Sequence, residues 1–268
     1  MNIVVCVKQV PDTSEVKLDK KTNTIIREGV ESIINPYDSY ALEEGVRLKE
    51  KLGGRVSLLS MGIPAVKGML KEAMAAGADE AFLLSDRRFA GADSLATAYS
   101  LYLGVKKIKD YDLIICGKQA IDGDTAQVGP SLAQKLGIPH VSYVISILEA
   151  SAKKLKVKRL VDDAYEIIEV ELPALITVEK GINIPRFPSL EGFFRAEAEN
   201  VTIWGADDVK ADMKHIGLEG SATWVLRTFA PSYEKSVNMI GGSPKEQARE
   251  AIAALVDAGF IESGREGE

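Results

Sequence analysis

The feature that most constrains this 268-residue chain is an alternation in its first 150 residues. Short apolar runs rich in β-branched residues are followed, again and again, by longer stretches of helical period. Ile3 to Val10, Arg55 to Ser60, Glu80 to Leu84, Tyr111 to Cys116 and Val141 to Leu148 read as strands. Between them lie four helices. The first opens at Asn35-Pro36-Tyr37-Asp38, where Asn35 can cap, Pro36 fits the first helical position and Asp38 can complete a capping-box-like arrangement, and it stops at Gly53-Gly54. The others run from the turn at Met61-Gly62-Ile63-Pro64 to about Ala76, from Asp93 to about Lys109, and from about Gln127 to Leu136. Strands separated by helices of this length predict an α/β fold, an open parallel sheet with helices on both faces, because each right-handed crossover lays a helix against the sheet.

Residues 15–26, with a Lys-Lys-Thr-Asn turn, read as a small excursion or hairpin. Beyond residue 150 the rhythm changes. Lys154 to Arg159 and Tyr165 to Glu171 read as a β-hairpin, and Ala174 to Glu179 as an optional further strand. From Gly181 the chain is rich in Pro and Gly yet carries Phe187, Leu190, Phe193, Phe194 and Trp204 without a clear period. Such a segment is poorly suited to building its own core and is expected to pack on something else, such as another chain. A final helix, from Ser243-Pro244-Lys245-Glu246 to about Ala258, carries a capping-box start. These boundaries suggest a domain over residues 1–190 that includes the hairpin, and a C-terminal arm and helix over 191–268.

A net charge of −6 argues against a nucleic-acid partner, which needs a concentrated basic surface. The basic run from Lys153 to Arg159 alternates as the solvated face of a strand does. The start MNIVVCVKQV goes straight into a strand without a leader pattern, and no apolar run reaches membrane-spanning length, so no membrane insertion is expected. Cys6 and Cys116 lie inside apolar runs, where thiols behave as small hydrophobes, and a reducing cytoplasm is the expected compartment. His140 and His215, far apart and without metal-ligand spacing, support neither a zinc site nor a triad, so no metal is expected.

In open α/β sheets, ligands sit outside the carboxyl ends of the strands where strand order reverses. If the order is 3-2-1-4-5, the crevice is bordered by Val7 to Pro11, by Ser60-Met61-Gly62 and by the loop GKQAIDGDTAQVGP from Gly117 to Pro130. Backbone N–H groups from Thr125 to Gly129, at a helix start, can cradle an anion. Asp122 and Asp124 would repel a phosphate they faced directly, so they are expected to turn toward ribose hydroxyls or loop amides. The loop lacks the closing Glu of a calcium site and both common phosphate-loop signatures. On the residues alone, a nucleotide cradle and a plain strand-to-helix turn both remain open.

The segments IVVCVKQVPDT (3–13), INPYDSYALEEGVRLKEK (34–51), LSMG (59–62), AMAAGADEAFL (73–83), GKQAIDGDTAQVGP (117–130) and IPRFPSL (184–190) closely resemble the β subunit of electron-transfer flavoprotein. The resemblance runs in order over about residues 1–205. It implies an adenine-nucleotide-binding α/β domain paired with a flavin-carrying α subunit. The nucleotide contacts it implies fall at Cys6, at Asn35, Pro36, Tyr37 and Asp38, at Met61 with Gly62 beside it, and from Asp122 through Gly123, Asp124, Thr125, Ala126, Gln127, Val128, Gly129, Pro130 and Ser131 to Gln134. The loop it implies for docking a dehydrogenase falls at Pro185, Arg186, Phe187, Leu190 and Phe193, with Leu190 as hydrophobic peg; the competing reading makes Leu190 a local core residue.

The family has two branches. One holds AMP in this subunit. The other, which bifurcates electrons, holds FAD, and DGDTAQVGP with Gly123, Ala126 and Val128 is similar to its loop; the long C-terminal tail looks like that branch too. That likeness implies FAD in the β site with AMP as the alternative. It also implies NADH as donor, a further FAD on the α subunit, and delivery to an acyl-CoA dehydrogenase or reductase and to ferredoxin. A stand-alone ATP-binding domain on the same fold is the rival of another class. No catalytic residue is assigned, because the cofactor carries such chemistry.

Overall fold

Runs dominated by Val, Ile and Leu form the strands, and their period-two alternation decides which helix each side chain meets. The computed structural model describes residues 1–12, 17–18, 25–26, 32–226 and 237–261. The chain begins with β1 (Asn2–Cys6), β2 (Gln9–Pro11), β3 (Lys17–Leu18), β4 (Ile25–Ile26), β5 (Ser32–Ile34) and α1 (Pro36–Leu52). Then come β6 (Arg55–Met61), α2 (Val66–Ala75), β7 (Glu80–Leu84), α3 (Ser94–Ile108), β8 (Leu113–Gly117) and α4 (Val128–Leu136). The remainder holds β9 (His140–Ala150), β10 (Lys154–Val161), β11 (Ala164–Glu171), β12 (Ala174–Val178), α5 (Leu190–Ala198), β13 (Thr202–Trp204) and α6 (Pro244–Asp257).

Nine strands form one sheet in the order β11-β10-β9-β12-β8-β1-β6-β7-β13. Pairing is parallel from β13 across to β9, and antiparallel through the β9-β10-β11 meander. Ile3, Val5, Val56 and Leu58 face α1 and α2, meeting Val46, Leu70 and Met74. Val4, Cys6 and Leu59 face the other way, into a second core with Leu101, Val105 and Leu132 of α3 and α4. Each fully buried Leu or Ile contributes about 1.5–3 kcal/mol, so these two layers are the main support of the sheet. The α/β class with an open, largely parallel sheet is thus as expected. In the expected small hairpin, Lys17–Leu18 pairs antiparallel with Ile25–Ile26; its turn lies outside the described residues.

Two features differ from the sequence reading. The expected order 3-2-1-4-5 is interrupted, because β12 inserts between β8 and β9. The reason is burial: every residue of Ala174–Val178 is buried, which suits a strand with parallel partners on both sides, whereas β9 is partly exposed and suits the border with the hairpin. A five-residue apolar run carries no signal of which neighbours it will take. The segment expected to pack elsewhere also returns in part to its own sheet. β13 pairs with β7, Trp204 stacks on Phe82 at 4.6 Å between ring centroids, and Val201, Ala206, Val209 and Ile216 are buried.

The chain divides into two units, residues 1–228 and 229–268. In the second, α6 starts with the expected capping box between Ser243 and Glu246, has Pro244 in its first turn, and is followed by Gly259 at φ 73°. No residue of α6 is buried.

Candidate functional site

From β1 the sheet runs through β6 to β7 on one side and to β8 on the other, so strand order reverses between β1 and β8. The residues after β1, Val7 and Lys8, and the loop after β8 border the crevice at that reversal.

The N-terminus of α1 is tied into this crevice by side chains. Asn35 is buried and makes no cap; its amide instead donates to the Gln119 carbonyl at 2.8 Å and its oxygen accepts from the Ile121 N–H at 3.1 Å. Asp38, also buried, accepts from the Lys8 N–H at 2.7 Å and from the backbone of Gly117. Burial pushes its carboxyl up to about 7, against the pull of these hydrogen bonds, that of Asn35 and the Lys8 charge. The capping-box role expected for this pair is therefore replaced by a cross-link among α1 and the loops after β1 and β8. Gly117 allows the close approach: a Cβ there would lie 2.7 Å from Tyr37 Cβ and 2.8 Å from the Tyr37 carbonyl carbon, with Asp38 nearer still. Pro36 and Tyr37 are half-buried beside it.

The loop itself is built to present amides. Gly123 and Asp124 donate back to the Ala120 carbonyl, which closes a turn. Asp124 at φ 49° and Ala126 at φ 52° hold left-handed conformations that non-glycine residues rarely adopt and that cluster at functional sites. Ala126 is followed by Gln127 in a right-handed conformation, the alternation that turns successive N–H groups toward one concavity. Among the described residues, the amides of Thr125, Ala126, Gln127, Val128 and Gly129 have no hydrogen-bond acceptor, and Gln127 provides no side-chain cap. Five free donors at a helix start fit an anionic group. Gly129 is buried, with Thr177 Cγ2 2.6 Å from where a Cβ would stand, so α4 begins hard against β12.

Of the two acids, Asp122 differs from expectation and Asp124 meets the loop-amide alternative. Asp122 takes both oxygens to Lys8 Nζ at 2.7 Å, across the crevice, and Asp124 accepts from the Gln119 side-chain amide. Lys8 thus belongs to the site; it lies in the Val7 to Pro11 segment expected to border the crevice, although its side chain was given no role there. Cys6 ends β1 in register with Cys116 of β8, and the Cys6 hydrogen bond, then burial, hold the Cys116 thiol protonated. Met61 ends β6, Gly62 after it donates to the Leu84 carbonyl, and the Ser60 hydroxyl before it is buried with no partner. Pro130 and Ser131 lie in the first turn of α4, while Gln134 is exposed about 9 Å along the helix from its start at Val128. A second cluster flanks the crevice: Lys118 pairs with Glu179 at 2.8 Å, which raises its pKa, and sits over the Tyr143 ring. No group of three His, Cys, Asp or Glu among the described residues converges as a metal site.

The second set of residues lies on the segment leading into α5 and on the first turns of that helix. Phe187 is 93% exposed, Leu190 74% and Phe193 51%, so the reading of Leu190 as a core residue is not met. Arg186 differs from them in direction. It grips Glu43 at 2.8 Å and Glu50 at 2.5 Å on α1, while Pro185 is half-buried, and Ser189 caps α5 by accepting from the Gly192 N–H at 2.9 Å. The arginine anchors a segment whose apolar side chains face outward. Arg186→Ala is expected to lower unfolding free energy by about 1–2 kcal/mol, because Glu43 is left buried without its partner. Urea denaturation checks this, and a change below measurement error would show that the anchor is idle.

A family model described as the electron transfer flavoprotein domain matches residues 22–208. The chain is 50% identical over 256 residues to the electron transfer flavoprotein subunit beta of Thermoanaerobacterium thermosaccharolyticum, covering 95% of this chain and 98% of that protein. It is 49% identical over 263 residues to caffeyl-CoA reductase-Etf complex subunit CarD of Acetobacterium woodii, covering 97% and 100%. To Protein FixA of Azotobacter vinelandii it is 43% identical over 265 residues, covering 95% and 94%.

Proposed function

We propose, because the chain belongs to the electron transfer flavoprotein family and is similar along its length to β subunits, that its crevice holds the adenine-nucleotide half of an FAD that accepts electrons from NADH. The observation that carries this reading is the loop after β8, with five unengaged amides from Thr125 to Gly129 and nothing within 4 Å of the place a Gly123 side chain would fill. The amides fit the phosphates, and the small residues Gly123 and Ala126 leave the lip of the crevice open to a ligand larger than AMP. The buried Ser60 hydroxyl offers a further polar contact. When bound, the flavin supplies the redox chemistry, passing electrons to the FAD of an α subunit and to ferredoxin.

This chain's residues do the holding. Asn35 and Asp38 fix the start of α1, Gly117 and Gly129 let α1 and α4 close on the sheet, and the amides orient the phosphates. Phe187, Leu190 and Phe193, presented by the Arg186 anchor, form the surface proposed to dock an acyl-CoA dehydrogenase or reductase. The relative named as a subunit of a caffeyl-CoA reductase complex supports that class of partner. The C-terminal arm is proposed to pack on the α subunit, and the assembly to work in the cytoplasm, where both cysteines stay free. None of the described helices is long and apolar enough to cross a membrane.

Cofactor extraction from the purified heterodimer tests the reading. Two FAD per heterodimer are expected, with the second reduced in anaerobic NADH titration. One FAD with AMP would assign the chain to the other branch, and a second flavin that NADH leaves oxidised would remove the donor.

A further inference from the structure

An ion pair spans the proposed nucleotide crevice, and its two halves come from opposite sides of the strand-order reversal. Lys8 follows β1; Asp122 follows β8 and lies three residues before the first unengaged amide. The ammonium holds both carboxylate oxygens at 2.7 Å. The Lys8 side chain is 48% exposed and that of Asp122 31%, so water screens the pair and its contribution to folding is small. The interaction is therefore cheap to break, and it holds the cation against the same loop that carries the unengaged amides. A two-oxygen carboxylate on an ammonium occupies the same chemistry as a phosphate oxygen pair, with less charge.

We propose that Asp122 is an internal placeholder for ligand phosphate, and that a nucleotide binds by exchanging its phosphate for the Asp122 carboxylate on Lys8. The proposal rests on the reading of the crevice as an adenine-nucleotide site and names a phosphate ligand and its competitor there. It has a consequence for selectivity. A nucleoside without phosphate has nothing to offer Lys8 and leaves the pair closed, whereas a nucleotide gains the ammonium and the five amides together. The affinity for nucleotide is then set by competition, so removing the placeholder's charge strengthens binding. A bridge whose role is only to brace the two loops predicts the opposite sign.

The test uses the full chain with its α subunit, freed of nucleotide, and isothermal titration with AMP, the half that FAD shares, and with adenosine. Asp122→Asn is expected to tighten AMP about threefold to tenfold and to leave adenosine within about twofold. Lys8→Met is expected to weaken AMP about tenfold, with Lys8→Arg close to wild type and adenosine again unmoved. In the Lys8→Met background the gain from Asp122→Asn should fall below about twofold. Both positions are partly exposed, so the variants retain the fold, and a thermal melt verifies this. Weaker or unchanged AMP binding in Asp122→Asn, or an equal loss of AMP and adenosine in Lys8→Met, overturns the exchange while leaving the nucleotide site in place. Failure of the wild type to bind either ligand overturns the site reading and the exchange with it.

Discussion

Replacing Gly117 with alanine is expected to lower unfolding free energy by about 2–4 kcal/mol and to abolish measurable nucleotide binding. The new methyl group would stand 2.8 Å from the Tyr37 carbonyl carbon, which is backbone and cannot swing aside as a side-chain tip can. Relief requires the start of α1 to back away from β8. That movement carries Asp38 off the Gly117 and Lys8 amides and Asn35 off Gln119 and Ile121, so one methyl group loosens every cross-link that α1 makes in the crevice. Urea denaturation and AMP titration of the same protein check both halves. A variant as stable as wild type would show that α1 can shift freely, and the account of Gly117 would fall.

The second large effect is a pH dependence that Asp38 imposes. Its carboxyl is held at about 7 by burial, against 3.8 for the free side chain. The folded state then binds more protons than the unfolded one between those values. Stability from this group is fully present below pH 4 and is lost as pH rises through 7. Between pH 4.5 and pH 8 the loss amounts to roughly 3 kcal/mol. Asp38→Asn cannot titrate and should not lose it, although its amide faces one N–H badly and lowers stability at every pH. The quantity to measure is the difference in unfolding free energy between the two proteins at several pH values. It should move in favour of the variant by about 3 kcal/mol from pH 4.5 to pH 8, and a constant difference would show that Asp38 is ionised throughout. The charged group facing it is Lys8; the neighbouring Cys116 thiol is held protonated, and so neutral, over this range.

Periodicity made most of the fold legible. β1, β6, β7 and β8 and the helices between them follow from patterns that each stand alone, and right-handed crossovers explain why the helices cover both faces. The place of β12 did not, because insertion between two strands depends on which surfaces remain uncovered once the others have paired. The return of Val201 to Ile216 to the sheet was hidden for the same reason: Trp204 is buried through Phe82, a contact across more than a hundred residues.

At the site, the amide-rich loop was legible from a strand followed at once by small residues and a helix start. The partner of Asp122 was not. Asp122 and Asp124 looked like ligands for ribose or loop amides; Asp124 does take a loop amide, that of the Gln119 side chain, whereas long-range geometry gives Asp122 to Lys8. Asn35 and Asp38 looked like a helix cap, and only the close packing over Gly117 shows them as cross-links. Arg186 sat among docking residues by position, yet two acids on α1 claim it.

The interior position of β12 has a consequence for how the chain is made. A ribosome releases β1, β6, β7 and β8 long before Ala174–Val178, and until then β8 has one side unpaired and β9 has no place beside it. The meander of β9, β10 and β11 can form locally but must wait to join. Closure of the sheet is therefore a late event dominated by distant pairings, the slow class of folding step. Nascent chains ending before residue 174 display a bare apolar strand edge, which recruits other unfinished chains. The outer side of β7 waits longer still, until β13 emerges at Thr202–Trp204.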